Sequence, residues 1–168
     1  MLIIRRILVP TDFSEPSDAA VKYGIALAQG FNANLFLLHV LAKAPAEHPG
    51  SVEHPIGLFE STRDAGREQL DKMLTDQEAK DVASEFTTRV GTPYVEIISY
   101  AKDRDIDLIV MGTHGRGGVA HMLMGSVAEN VVRRAPCPVL TVRHPQHEFV
   151  VSDESIAASA SVPSPCAT

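Results

Sequence analysis

The sequence contains no tryptophan and only two cysteines in 168 residues, and aromatic residues make up 5% of it. Cys137 and Cys166 stand alone, with neither a C-x-x-C pair nor the dense cysteine pattern of a disulfide framework. No apolar run approaches the roughly 18 residues that a membrane span requires. We therefore expect neither a disulfide-stapled domain nor a membrane protein.

Basic residues are also in short supply, with 15 Lys and Arg against 21 Asp and Glu and a formal charge of −6. Such a surface repels a phosphate backbone on average, which argues against nucleic-acid binding. The first six residues place their charges after the apolar side chains, which is the reverse of a signal peptide. The predicted location is the cytoplasm.

Hydrophobic residues account for 45% of the chain and charged residues for 21%, as in an ordinary globular domain. The length suits a single domain. Beyond His144 the composition changes, because residues 152–168 are rich in Ser, Ala and Pro and have little to bury. We predict one domain over residues 1–145 and a disordered tail over residues 146–168.

Apolar runs and helical patterns alternate along the chain. The predicted strands cover residues 6–9, 35–40, 82–90, 107–112 and 138–142. The intervening helices are expected after an N-cap at Ser14, from Leu58, from Pro93 and from Ser126. Gly30 is expected to stop the first helix, and Val95, Ile98 and Ala101 are expected to face inward from the third.

Five strands with four intervening helices predict a three-layer α/β sandwich around a mainly parallel sheet. Polar and apolar residues alternate in the third strand, which places it at an edge of the sheet. The last strand begins at Pro138, and proline donates no ladder hydrogen bond, so this strand is also expected near an edge.

Ligands bind to open parallel sheets at the carboxyl ends of the strands. Two loops compete for this role, residues 10–14 after the first strand and residues 112–118 after the fourth. If these two strands are neighbours, both loops face one crevice.

Glycines dominate the second loop, with Gly112 and Gly115 followed by Gly125 at the start of a helix. Glycine allows close approach of a ligand, and a helix N-terminus offers free amides to an anion. Ser126 adds a hydroxyl donor and Arg116 a charged one. This combination favours phosphate binding over the alternative, a simple strand-to-helix turn.

Other chemistry finds weaker support. His114 and His121 have no metal-ligand spacing, and His48 and His54 lie in a turn-rich loop, which argues against a zinc site. No Ser-His-Asp or Cys-His arrangement stands out. The three aspartates at 103, 105 and 107 precede the fourth strand, so they are expected at the opposite end of the sheet as a solvated turn. Residues 115–120 fit G-x-G-x-x-A but follow the wrong strand for a dinucleotide fingerprint, which leaves an NADP-binding oxidoreductase as a disfavoured alternative.

The spacing G-x2-G-x9-G-[ST] over residues 112–126 resembles the ATP-binding signature of the universal stress protein family. Residues 7–14, 107–117 and 136–142 are similar to blocks of the same family. The resemblance extends over about residues 3–143, nearly the whole ordered part that we predict.

This resemblance implies a Rossmann-like fold of the adenine nucleotide alpha hydrolase type, with strand order 3-2-1-4-5. It implies ATP, or ADP or AMP, bound with Mg²⁺ in the crevice between the first and fourth strands. Asp12 would lie by the ribose and adenine, the Val40 backbone would meet the adenine, and the glycines would line the path of the phosphates. The full set of implied site residues is Pro10, Thr11, Asp12, Val40, Met111, Gly112, His114, Gly115, Arg116, Gly125, Ser126 and Val127.

The family resemblance also implies a homodimer through the last strand, at Val139, Leu140, Thr141 and Val142. Three functions stay open at this point. The favoured one is a regulatory protein with ATP as its ligand; the second is a slow ATPase with Asp12 as base or metal ligand; the third is an interaction module without nucleotide.

Overall fold

The computed structural model of the chain describes residues 3–42, 56–76, 79–113 and 124–143. This part of the chain forms five strands and four helices in strict alternation. In chain order they are β1 Arg6–Thr11, α1 Glu15–Phe31, β2 Asn34–Ala42, α2 Ile56–Asp76, β3 Ser84–Gly91, α3 Pro93–Asp103, β4 Leu108–Gly112, α4 Ser126–Arg134 and β5 Val139–Val142. The predicted tail over residues 146–168 lies outside the described residues.

All the strands join one parallel sheet in the order β3-β2-β1-β4-β5. The order and the edge positions of β3 and β5 confirm the sequence prediction. Leu8 is paired with Phe36 of β2 on one side and with Ile109 of β4 on the other. The central position of β1 therefore places the loop that follows it between the ends of β2 and β4.

Successive β1 residues face opposite sides of the sheet, as the period of two in a strand requires. Ile7 and Val9 pack into one apolar cluster with side chains of α1 and α2, whereas Leu8 packs into a second cluster with α3 and α4. All three side chains are fully buried. Helices thus cover both faces, which confirms the three-layer α/β sandwich.

The helix α1 begins after the predicted N-cap Ser14 but does not end where the sequence suggested. Gly30 lies inside the helix, and Asn32 is the residue that adopts the left-handed conformation at its end, with φ of 52°. The amide of Asn32 donates to the carbonyl of Gln29. Asparagine tolerates this conformation better than most residues, so it can end a helix in place of glycine.

The inward face of α3 also differs from the prediction. Val95 is 46% exposed, whereas Ile97, Tyr100 and Ala101 are buried. The three buried residues follow helical spacing, and Val95 lies two residues, or about 200°, from Ile97 on the helix. The prediction that Val95 faces inward was wrong, because the stripe of Ile97, Tyr100 and Ala101 places Val95 on the opposite side of the helix. None of the described helices has the length and apolar content to cross a bilayer.

Candidate functional site

The first group of predicted site residues lies at the carboxyl edge of the sheet. Pro10 and Thr11 end β1, Val40 lies near the end of β2, and Met111 and Gly112 end β4. Since these three strands are neighbours, the structure brings their ends to one edge. The two loops singled out from the sequence therefore begin side by side.

A second group lies at the start of α4, and backbone hydrogen bonds fix it to the end of β4. The amide of Gly125 donates to the carbonyl of Thr113 at 2.7 Å, and the amide of Thr113 donates to the carbonyl of Val142 at 2.9 Å. Val127 packs against the same apolar cluster as Val40 and Met111. The start of α4 is thus held beside the ends of the central strands.

Gly125 is the N-cap of α4, with φ of −71° and ψ of 153°. These angles are extended and open to any residue, so the glycine is not needed here for a left-handed turn. What it contributes is the absence of a side chain: no side-chain hydrogen bond caps α4. The amides of the first turn, at Ser126 and Val127, lack intrahelical partners and face an uncapped helix end.

At the start of α1, by contrast, a carboxylate occupies the turn that precedes the helix. The amide of Ser14 donates to Asp12 Oδ1 and to Ser17 Oγ, at 3.1 Å each, and the Ser14 hydroxyl also donates to Asp12 Oδ1. The hydroxyls of Ser17 and Thr11 lie 3.1 Å apart. Asp12 therefore shapes the turn into α1 and places a negative charge there, whereas the N-cap of α4 carries no side chain that could exclude an anion.

Two aromatic rings at this edge were missed by the sequence analysis. Phe13 adopts a left-handed backbone conformation with φ of 58°, and its ring lies 4.7 Å from the ring of His39. The Nδ1 atom of His39 lies 2.7 Å from the carbonyl oxygen of Thr11. The available signal was a polar histidine inside the otherwise apolar run of β2.

Negative charge gathers on the α1 side of the site. Burial raises the pKa of the Asp18 carboxyl above its ordinary value of 3.8, Lys22 opposes that rise, and the carboxylates of Asp12 and Glu15 add to it. A negatively charged ligand is therefore better placed toward α4 than toward α1.

Three predicted site residues, His114, Gly115 and Arg116, lie outside the described residues, as does the G-x-G-x-x-A stretch at 115–120. In the described ranges, no group of three or more His, Cys, Asp or Glu side chains is arranged to hold a metal ion.

The sequence profile of the universal stress protein family matches residues 4–143. The chain belongs to the universal stress protein family. A curated relative, universal stress protein MJ0531 of Methanocaldococcus jannaschii, is 36% identical over 149 residues, which span 87% of this chain and 86% of the relative.

Solved structures of the family share the fold. Universal stress protein UspA from Lactobacillus plantarum superimposes with a TM-score of 0.73 at 28% identity, over 85% of this chain and 100% of that one. A universal stress protein solved in complex with cAMP matches with a TM-score of 0.60 at 28% identity, over 84% of this chain and 98% of that one. The Rossmann-like architecture expected from the resemblance is confirmed.

Proposed function

We propose that this universal stress protein binds ATP in the crevice at the carboxyl ends of β1 and β4 and acts as a nucleotide-dependent regulatory protein. The observation that carries the proposal is the uncapped N-terminus of α4 at Gly125, held against the end of β4 by the 2.7 Å bond to Thr113. The family membership and a relative solved in complex with cAMP support an adenine nucleotide as the ligand.

The phosphates belong at α4 in this proposal. Gly125 leaves the helix amides accessible, the positive end of the helix dipole favours an anion, and Ser126 is exposed and adds a hydroxyl. Gly112, Gly115, His114 and Arg116 would line the remaining path of the phosphates, as the family resemblance implies.

The nucleoside belongs at the other side of the crevice. Asp12 follows β1, and Val40 lies near the end of the neighbouring strand β2; the two strands are paired at Thr11 and His39. A carboxylate suits the hydroxyls of a ribose, and the backbone amide and carbonyl groups at Val40 suit the polar edge of an adenine, as the family resemblance implies. Binding at the end of β4 and the start of α4 would change a surface available to a partner.

The described residues offer no cage of carboxylates and imidazoles for a resident magnesium ion. We propose that any Mg²⁺ enters with the ATP phosphates, which is how this ion is commonly bound. It would neutralise phosphate charge there, and the carboxylate of Asp12 has the chemistry to contact it.

Dimerisation and location remain predictions. The edge strand β5 carries Leu140, which is 40% exposed, and an exposed apolar edge is suited to pairing with a second copy. We propose that this copy pairs through residues Val139–Val142 and that the protein acts in the cytoplasm.

The variant Gly125→Val tests the site. Its backbone angles suit a β-branched residue, so the domain should fold with a melting temperature within a few degrees of the unchanged protein. The added methyl groups would occupy the space of the phosphate, and we expect ATP affinity, measured by calorimetry, to fall at least about tenfold.

Gly30→Val is the matched control, because a Cβ at Gly30 meets nothing within 4 Å. It should leave ATP affinity unchanged. Equal ATP affinity in a folded Gly125→Val protein would count against the proposal.

An assay with labelled ATP and Mg²⁺ distinguishes a regulatory ligand from a substrate. Retained, uncleaved ATP supports the regulatory ligand. Sustained release of phosphate that is lost in Asp12→Ala supports the slow ATPase.

A further inference from the structure

His39 is a polar residue inside β2, and its contacts join it to the loop that carries Asp12. In the sheet register it lies opposite Thr11, the last residue of β1. Its Nδ1 atom is 2.7 Å from the Thr11 carbonyl oxygen, and its ring lies against the ring of Phe13. The histidine therefore contacts the chain on both sides of Asp12.

The chemistry of this contact fixes the role of Nδ1. A carbonyl oxygen accepts hydrogen bonds and never donates, so Nδ1 of His39 must carry a proton and donate it to Thr11. The bond is short for a nitrogen donor and spans 28 residues of sequence. It fixes the carbonyl at the point where the chain leaves the sheet.

The backbone of the next residues needs such support. Phe13 has a positive φ, which costs a non-glycine residue on the order of 1 kcal/mol. Its amide donates to Thr11 Oγ1 at 3.1 Å, and its ring contacts His39 at 4.7 Å and Phe86 at 6.2 Å. Thr11 and Phe13 are thus both tied to neighbouring strands, and the intervening Asp12 has little freedom to move.

We propose that His39 is a positioning residue for nucleotide binding, which holds Asp12 in place through its Nδ1 hydrogen bond to the Thr11 carbonyl. The inference rests on the proposed function. His39 acts through the loop rather than on the ligand. Because the loop is already held in place, less conformational entropy is lost when the ligand binds.

Two substitutions separate the hydrogen bond from the ring. His39→Asn places an amide N–H near the position of Nδ1 but removes the ring. His39→Phe keeps a ring against Phe13 but removes the donor. Ile106→Val is the control for stability alone, because Ile106 is buried before β4, at the opposite end of the sheet.

We expect His39→Phe to weaken ATP binding about tenfold, the effect of losing one well-placed hydrogen bond, and His39→Asn to bind within about threefold of the unchanged protein. Ile106→Val should lower the melting temperature without changing the affinity. A merely structural histidine would give affinities that follow stability, with no recovery in His39→Asn. If His39→Phe does not fold, His39→Gln takes its place, since its amide reaches toward the position of Nε2 rather than Nδ1.

Calorimetry with ATP and Mg²⁺ distinguishes the ways to fail. If the unchanged protein binds ATP and His39→Phe, or His39→Gln in its place, binds equally well, the positioning role is wrong and the proposed function stands. If His39→Asn binds as weakly as His39→Phe, a donor near the position of Nδ1 does not restore binding, and the role of the Nδ1 hydrogen bond is overturned. If the unchanged protein does not bind ATP, the proposed function fails and this inference fails with it.

Discussion

The two ends of the parallel sheet are held together in different ways. At the amino end, Asp107 Oδ2 accepts the amides of Arg5 and Arg6 at 2.8 and 2.9 Å, and Arg6 donates to the carbonyl of Arg104 at 2.8 Å. These bonds join residues about 100 positions apart. At the carboxyl end, the side-chain bonds between Thr11 and Ser17 span six residues or fewer.

The contrast indicates that the two ends of the sheet have different roles. Long-range bonds at the amino end close the fold. At the carboxyl end, local bonds and the bond from His39 to Thr11 shape the loop after β1, while no side chain caps α4. The sequence analysis placed the aspartates at 103, 105 and 107 away from the crevice, and contacts with Arg5 and Arg6 at the start of β1 confirm that placement for Asp105 and Asp107. They are not simply solvated, however, because Asp103 pairs with Arg89, Asp105 with Arg6, and Asp107 accepts two amides.

The largest effect on stability is expected away from both ends, at Gly24 in α1. A Cβ there would lie 2.5 Å from Val9 Cγ2, inside the core under β1. Gly24→Ala should lower the free energy of unfolding by about 2 kcal/mol, because overpacking outweighs the gain in helix propensity. Urea denaturation measures the loss, and ATP affinity should not change.

Gly30→Ala in the same helix is its matched control. Open space surrounds that position, so alanine should stabilise the protein by up to about 1 kcal/mol through helix propensity alone. A Gly24→Ala protein as stable as Gly30→Ala would show that the contact between α1 and β1 yields easily. The loss of stability in Gly24→Ala could then not serve as the standard for the smaller losses expected at the two ends of the sheet.

A smaller loss is expected at the amino end of the sheet. Asp107→Ala leaves the amides of Arg5 and Arg6 without this acceptor, and since both are partly accessible to water the cost should be about 1 kcal/mol. Thermal unfolding measures it, with ATP affinity unaltered. A fall in ATP affinity would contradict the view that contacts at the amino end stabilise the fold without affecting ligand binding at the carboxyl end.

Asp107→Asn sharpens this test. One oxygen, Oδ2, accepts both bonds, so the carbonyl oxygen of asparagine can replace it, with loss of the negative charge alone. We expect Asn to recover most of the stability lost in Ala. Equal losses in the two variants would assign the effect to charge rather than to hydrogen bonding.

The smallest effect is a pH dependence at the carboxyl end. The native pKa of Asp18 is raised above 3.8, mainly by burial, so the native state holds its proton where the unfolded state has released it. Stability from this group therefore falls as pH rises from 3.8 through the native pKa, and the penalty persists at neutral pH.

Asp18→Asn should remove that penalty. We expect a slightly higher unfolding free energy than the unchanged protein at pH 7 and no such gain below pH 3.8, in parallel urea titrations. The hydrogen bond from Gln69 to Asp18 Oδ1 can persist in the variant. A gain of equal size at both pH values would assign the effect to something other than proton release.

The fold could be predicted from local patterns in the sequence. Alternation in β3 and Pro138 before β5 were sufficient to place both edges, and Ser14 was sufficient to place the start of α1. Helix phase was harder, as Val95 shows, because a stripe is defined by all of its members together.

The candidate site was predicted in outline only. Glycine spacing and family resemblance identified the start of α4, and both are local in sequence. The contacts of His39 with Thr11 and Phe13 arise only when β2 pairs with β1, so no local pattern announced them. Gly125 is the N-cap of α4, and its extended backbone shows that the missing side chain, rather than a left-handed turn, is what this glycine offers to a ligand.

Amide hydrogen exchange with and without ATP and Mg²⁺ tests the account most directly. The account predicts added protection at residues 11–14, 112–113 and 125–128 and unchanged exchange at residues 5–6 and 104–107. Protection confined to the amino end, or none at the start of α4 under saturating ATP, would contradict it.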